Sequence, residues 1–466
     1  MPLDLRDYIS KLETELPDQL LRIKKEVNPA EFEATAILQH LENNDQYPTV
    51  IFENNVNVNG DKSEFSSIIN VFASRERCAL AMNMDVSAKD LPLSLEYAAR
   101  EKTMIEPTVI SREEAPVKQT VKIEDEVDLS EYPIIRFHEM DPAPYLDVTA
   151  FVKDPDGGFY NGAFQRTMYK GKRKLGLHMS PRHNWQIARK YEERNEPTPI
   201  IIVVGHHPSF YLGSLNVSPF GNDDYAKIGS IMGESLRLVP SETWGDQFMV
   251  PADAEMIIEG EIVPNHREVE GPFGEFPGTY GPQRVRWVIN VRAVTHRKDA
   301  IFQSIFTGHR ETWILGAIPK EGTLFNRIKG VVPTTRSVHL PLSSVGRFHC
   351  YISIDKKVDG ESKQAALIAL GECDFVKHVV VVDSDIDPFK EEQVMWAMAT
   401  RVQADHDVDI IKNVKGNTLD PSQLDDIMGA KMIIDATKPV SRLFSQRIKV
   451  PDSVMNRISL QHFLEE

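Results

Sequence analysis

The sequence predicts a chain with an α/β layer at each end and an antiparallel β-barrel or sandwich between them. Helical and strand-like segments alternate up to about residue 110. The middle is mostly short apolar or alternating runs separated by Gly, Pro and Asn clusters. Beyond about residue 330, helix and strand signals alternate again around two wholly apolar runs, Val379-Val-Val-Val382 and Met432-Ile-Ile434. At 466 residues the chain is too long for one core, so two or three domains are expected.

In order, Leu5, Tyr8, Ile9, Leu12 and Leu16 share one helical face. Asn28-Pro29-Ala30-Glu31 reads as an N-cap, a proline at N1 and a capping-box glutamate, opening a helix through Phe32, Ile37 and Leu41. Thr49-Val-Ile-Phe52 reads as a buried strand. The polar stretch 111–132 marks a domain crossing. Strands are expected over 146–152, 200–204 and 254–263 and through the alternation Val285, Trp287, Ile289, Val291, with one helix over 184–194. The last part adds helices over 363–370 and 391–401. These readings divide the chain into 1–115, 116–325 and 326–466.

The hydrophobic fraction of 41% and charged fraction of 26% are those of a soluble globular protein. No apolar run reaches the roughly 20 residues of a membrane span and the amino terminus has no apolar signal core, so a cytoplasmic protein without a membrane partner is expected. A net charge of −16 argues against nucleic acid as a partner. Cys78, Cys350 and Cys373 lack ligand spacing and read as small buried apolar residues.

Four clusters carry candidate chemistry. Glu270-Gly-Pro-Phe-Gly-Glu275 sets two carboxylates around a turn, as general acid/base work requires, although a tight turn with solvated acids has the same pattern. Asn161-Gly-Ala-Phe-Gln-Arg166 offers an arginine able to clamp a carboxylate or phosphate. His183 and the carbonyl of Asn161 are possible metal ligands, although a capping or core histidine has the same pattern. Gly205-His-His-Pro-Ser-Phe-Tyr-Leu-Gly-Ser214 follows the strand 200–204, where backbone amides can approach a flavin or phosphate. No Walker sequence, GxGxxG after a strand, or GxSxG elbow occurs.

Together these clusters resemble the UbiD family of prenylated-FMN-dependent reversible decarboxylases. The matching residues are Asn161 with Arg166, Ser180-Pro-Arg-His183, Gly213-Ser214-Leu215, Val250-Pro-Ala-Asp-Ala-Glu255, Ile258-Glu-Gly260 and Glu270-Gly-Pro-Phe-Gly-Glu275. Asp383-Ser-Asp-Ile-Asp387 and Trp396-Ala-Met-Ala-Thr-Arg401 extend the match towards the carboxy terminus. The resemblance implies an amino-terminal α/β domain, a central split β-barrel of flavin-reductase type that binds prenylated FMN, and a carboxy-terminal α/β oligomerisation domain. It implies a lyase, a homodimer or higher homo-oligomer, and a flavin prenyltransferase as the partner that supplies the cofactor.

The resemblance assigns Arg166, Glu270 and Glu275 as the catalytic trio, with Glu275 as proton donor and Arg166 paired to Glu270. Asn161, Ala163, Phe164, Gln165, Arg166, Arg182, His183, Gly213, Ser214, Leu215 and Arg237 would bind the cofactor. Phe276, His309, Thr312 and Leu315 would wall the pocket of an aromatic, heteroaromatic or α,β-unsaturated acid. Manganese, with or without potassium, would join the cofactor phosphate to Asn161, His183 and a glutamate. Arg237 stands where the alignment expects that glutamate, and a cation cannot ligate manganese. Either Glu234 fills the place or Arg237 grips the phosphate itself. An FMN oxidoreductase and a non-catalytic flavin-binding paralogue are the alternatives from other functional classes.

Overall fold

A computed structural model of the chain describes residues 2–423 and 428–464. The amino-terminal helix Leu5–Glu15 buries Leu5, Tyr8, Ile9 and Leu12, capped by Asp4. The helix expected from Asn28 starts differently. Asn28 caps only the short turn Pro29–Glu31, Phe32 takes a left-handed conformation (φ 65°), and the α-helix runs over Glu33–Glu42. The backward-reaching acid is therefore Glu33, whose carboxylate accepts from the Asn28 amide at 2.7 Å, and not Glu31.

Strands Leu20–Ile23, Thr49–Phe52 and Ser66–Ile69 form the amino-terminal sheet, and its fourth strand, Ile301–Gln303, comes from far along the chain. This parallel edge joins the sheet to the middle of the molecule, a pairing that no local pattern announces.

Six antiparallel strands close into a barrel. They are Met256–Glu270, Thr198–Val204, Tyr145–Lys153, Tyr160–Tyr169, Lys174–Leu177 and Arg284–His296 in neighbour order, with the first and last also paired. Closure leaves no free edge except where Thr120–Ile123 adds to Arg284–His296. The two longest strands carry irregularities at Glu259/Gly260 and Ile262/Arg267, which let them bend around the barrel. Helix His183–Glu193 packs on this barrel, close to the range read from the sequence.

The 22-residue helix Arg310–Val331, about 33 Å long, leads from the barrel to the carboxy-terminal sheet. That sheet has the order Thr335–His339, His349–Ile354, His378–Asp383, Met428–Ala436, Val408–Lys415, parallel in the centre and antiparallel at both edges. Its central strand His378–Asp383 is buried from Val379 to Asp383, as the valine run requires, and helices Glu361–Glu372 and Glu391–Arg401 pack against the sheet. All three cysteines are free and buried. Among the described residues no helix is long and apolar enough to cross a membrane.

Candidate active site

The strand Met256–Glu270 ends on a fully buried carboxylate, that of Glu270. Arg166, on the strand Tyr160–Tyr169, donates to it through Nε and Nη2 at 2.9 Å each, a bidentate fork. The third nitrogen of the guanidinium, Nη1, touches Oε1 of Glu275. Beyond Glu270, the Gly271–Pro272 bond is cis, and Phe273–Gly274 pairs with Tyr280–Gly281 as a two-residue ladder. The turn between the two carboxylates thus opens a small hairpin whose tip carries Glu275 and Phe276. One arginine brings together both acids.

Aromatic and basic groups enclose this trio. The guanidinium lies 5.2 Å from the Phe273 ring centre, and Phe273 packs on Tyr145 at 4.5 Å. His178 is held neutral by burial and by the charges of Arg166, Arg286 and Arg284, and its Nδ1 accepts from Arg286 Nε at 3.1 Å. Three arginines, Arg166, Arg284 and Arg286, thus stand around His178 at the barrel edge, beside the carboxylates of Glu270 and Glu275.

A second cluster gathers around Asn161. Its carboxamide oxygen lies 3.2 Å from His183 Nδ1, and its nitrogen donates to Asn184 at 2.6 Å. Burial, then Arg182, lowers the His183 pKa and favours the neutral imidazole that a metal needs. The acid here is one that the sequence reading did not single out. Asp224 opens helix Asp224–Met232 and accepts from the Gly162 amide at 2.8 Å, while Asp223 accepts from the Tyr160 amide at 3.0 Å, so the two carboxylates bracket Asn161. Burial pushes the Asp224 pKa up to about 8.

This placement corrects the expectation for the third ligand. Glu234 lies past the far end of that helix, whose last residue, Met232, stands about 12 Å along the axis from Asp224, and it accepts from the Leu3 amide at 2.8 Å. Arg237 forms a bidentate pair with Asp253 at 2.7 and 2.9 Å and reaches the Glu114 carbonyl, so it is spent on protein rather than on phosphate. Arg237→Ala should therefore leave the flavin content of the purified protein unchanged, as measured by absorbance per chain. A flavin-free variant would restore the phosphate role.

Among the described residues no three His, Cys, Asp or Glu side chains cluster as a metal site. The candidate set of Asn161, His183 and Asp224 includes an asparagine, and its one nitrogen and two oxygen donors fit a hard or borderline divalent ion. Other cofactor candidates fall into two groups. On the strand of Arg166, Asn161, Ala163 and Gln165 share one face by the period of two, with Phe164 on the other beside Tyr211. The carboxamide oxygen of Gln165 is buried without a hydrogen-bond partner, an unmatched acceptor of the kind that a flavin donor would satisfy. By contrast, Gly213 and Ser214 end the buried helix Pro208–Ser214. A Cβ on Gly213 would stand 2.9 Å from the Ile228 Cα, and Ser214 is bonded to Thr149 and Tyr211, so these residues pack helix against helix and barrel, and half-buried Leu215 follows them. Arg182 reaches across to Asp374 at 2.8 Å.

Of the expected pocket wall, Phe276 packs against Phe348 and Phe375, and its carbonyl accepts from Trp313 Nε1 at 2.7 Å. His309 is held by Glu42 at 2.6 Å and stacks on Phe306 at 3.7 Å. Thr312 bonds the His309 carbonyl, and Leu315 is buried in the main core.

Comparison with known proteins matches three family models along the chain. They are the 3-octaprenyl-4-hydroxybenzoate carboxy-lyase N-terminal domain (residues 11–91), Rift-related domain (108–310) and C-terminal domain (313–436). A phenolic acid decarboxylase of Sedimentibacter hydroxybenzoicus is 34% identical over 452 residues, covering 94% of this chain and 92% of the relative. The UbiD-class enzyme HmfF of Pelotomaculum thermopropionicum, solved in complex with FMN, superposes with a TM-score of 0.88 at 36% identity, covering 99% of this chain and all of that one. An evolved dimeric form of HmfF, in complex with prFMN, gives a TM-score of 0.86 at 34% identity over 99% and 100% of the two chains.

Proposed function

The chain belongs to the UbiD family and is a carboxy-lyase that uses a flavin, and from that premise we propose that it reversibly decarboxylates an aromatic, heteroaromatic or α,β-unsaturated acid without net oxidation, with prenylated FMN bound at the barrel. The observation that carries this reading is Arg166 gripping Glu270 with two nitrogens while its third meets Glu275.

Prenylated FMN, when bound, supplies the electrophilic centre that accepts the electrons left on an sp² carbon as CO2 departs. The protein contributes orientation and proton transfer. Glu270 fixes the guanidinium of Arg166, which steers the substrate carboxylate and excludes poses that turn it away from the flavin. Glu275 delivers a proton to the carbon that CO2 has left, and in the carboxylation direction it removes that proton. Phe276 and its aromatic neighbours form a flat apolar wall suited to an unsaturated or aromatic acid. The phenolic acid decarboxylase relative supports that substrate class.

In the same reading Asn161, His183 and Asp224 would hold a divalent ion, manganese with or without potassium, which would compensate the charge of the cofactor phosphate. Asp224→Ala should lose both the ion and most of the flavin, because the phosphate would then face an uncompensated site. Metal analysis together with flavin absorbance checks this, and a variant that retains one ion per chain would remove Asp224 from the set. A flavin prenyltransferase supplies the cofactor. The carboxy-terminal tail exposes Leu443, Ile448, Phe463 and Leu464, which supports assembly as a homodimer or higher oligomer. The test of the proposal is co-expression with a flavin prenyltransferase followed by a panel of aromatic and cinnamic-type acids assayed for CO2. Silence across the panel from a fully loaded enzyme would defeat it.

A further inference from the structure

A third carboxyl group faces the catalytic arginine. Asp147, on the strand Tyr145–Lys153, is the register partner of Arg166 on the neighbouring strand, so the two side chains leave the same face of the barrel about 5 Å apart at Cβ. Yet among the described residues no cation forms an ion pair with Asp147, because all three guanidinium nitrogens of Arg166 go to Glu270 and Glu275. Its carboxyl receives a hydrogen bond from the Thr307 hydroxyl, to Oδ2. Thr307 belongs to the loop that abuts the catalytic hairpin: a Cβ on the next residue, Gly308, would stand 3.0 Å from the Glu275 carbonyl oxygen.

If Glu270, Glu275 and Asp147 were all ionised, three negative charges would share one guanidinium. The other titratable groups do not relieve this. His178, against Arg166, is held neutral, and Arg284 and Arg286 gather around it. His309, in the loop of Thr307, is bonded to Glu42. On the far side of Tyr145–Lys153, the strand Thr198–Val204 pairs through Ile200, Ile201, Ile202 and Val203, which bring no charge. Enclosure by the surrounding protein raises the Asp147 pKa, and the Thr307 hydroxyl and then the charge of Arg166 oppose the rise. An ionised carboxylate so placed would claim a guanidinium nitrogen, whereas a neutral acid leaves all three to its rivals. The geometry is that of the neutral acid.

Resting on the role of Arg166 as the clamp for the substrate carboxylate proposed above, we propose that Asp147 is a positioning residue of this site: as a neutral acid held by Thr307, it leaves the guanidinium to Glu270, Glu275 and the incoming carboxylate. Once its proton is lost to solvent, Asp147 competes for the same nitrogens and repels the charge of the substrate. Binding of a carboxylate then weakens as pH rises, separately from proton transfer at Glu275. Stability follows the same sign. A carboxyl whose pKa is higher folded than unfolded costs stability progressively as pH rises from the unfolded value to the folded one. Replacing it by an amide therefore gains more at high pH than at low.

The test is titration calorimetry of the holoenzyme with benzoate, the simplest aromatic carboxylate, on the native protein, Asp147→Asn and Thr307→Val. From about pH 6 to about pH 9, the affinity of the native protein is expected to fall about tenfold further than that of Asp147→Asn, the scale of one like charge appearing a few ångströms from the ligand. Thr307→Val removes a hydrogen bond to the ionised form and should move the midpoint of the fall to higher pH. Melting curves give a readout independent of benzoate: the advantage of Asp147→Asn over the native protein should grow between about pH 5 and about pH 9. Equal pH dependence in the native protein and Asp147→Asn, a midpoint unmoved or lowered in Thr307→Val, or a melting difference indifferent to pH would overturn the assignment. CO2 release from the aromatic and cinnamic-type acids is scored separately. Binding that depends on Asp147 in this way, with no turnover of any acid, would leave the assignment standing and reject the decarboxylase reading.

Discussion

Glu275→Gln is expected to fold, retain flavin and lose CO2 release by roughly 10²-fold or more, the usual scale for removing a general acid. The amide keeps the volume of the carboxylic acid, and its oxygen can still accept from Arg166 Nη1, which touches Glu275 Oε1 in the native site. What it lacks is a transferable proton. The loss should therefore appear in kcat rather than KM, because the substrate carboxylate still meets Arg166. A companion measurement is exchange of the product's ring or vinyl hydrogen with deuterated solvent, which needs the same proton transfer and should fall in parallel. Turnover near the native rate would move the proton donor elsewhere, and unchanged exchange with slowed CO2 release would assign Glu275 a role in binding alone.

The fold was legible wherever a local pattern carries its own explanation. The valine run at 379–382 can only be a strand covered on both faces, and Leu5, Tyr8, Ile9 and Leu12 can only share one face of a helix. Where the reading slipped, the cause was one residue or one distant partner. Phe32 adopts a left-handed conformation that splits the expected helix in two, a choice fixed by the chain's route rather than by propensity. The strand Ile301–Gln303 is three residues long and belongs to a sheet begun near residue 20, beyond the reach of any local window.

The site divides in the same way. The grouping of Arg166, Glu270 and Glu275 was legible only through the family resemblance, since the acids alone also read as solvated groups of a tight turn. Asp224 was not, since Asp223-Asp224 at a helix start reads as an ordinary cap, and only barrel packing brings it to the amide beside Asn161. The resemblance offers Glu234 as the acid beside the metal, or Arg237 as a direct grip on the phosphate. In space, a nine-residue helix carries the chain away from Asn161 before either is reached.

Arg166→Ala should do more harm than the loss of one contact. Glu270 is fully buried and receives two of its hydrogen bonds from this guanidinium, so the substitution strands a carboxylate in the barrel edge at a cost of roughly 3–5 kcal/mol. In a protein of this size that is a drop of several degrees in melting temperature, alongside loss of activity because nothing then steers the substrate carboxylate. The two effects separate in a double-mutant cycle. Adding Glu270→Gln to Arg166→Ala removes the unpaired charge and should recover most of the stability, while the activity stays lost. If Arg166→Ala melts with the native protein and turns over near its rate, the fork is neither a structural pair nor a substrate clamp. If the double variant is no more stable than the single, the cost lies in the cavity left by the arginine and not in the stranded charge of Glu270.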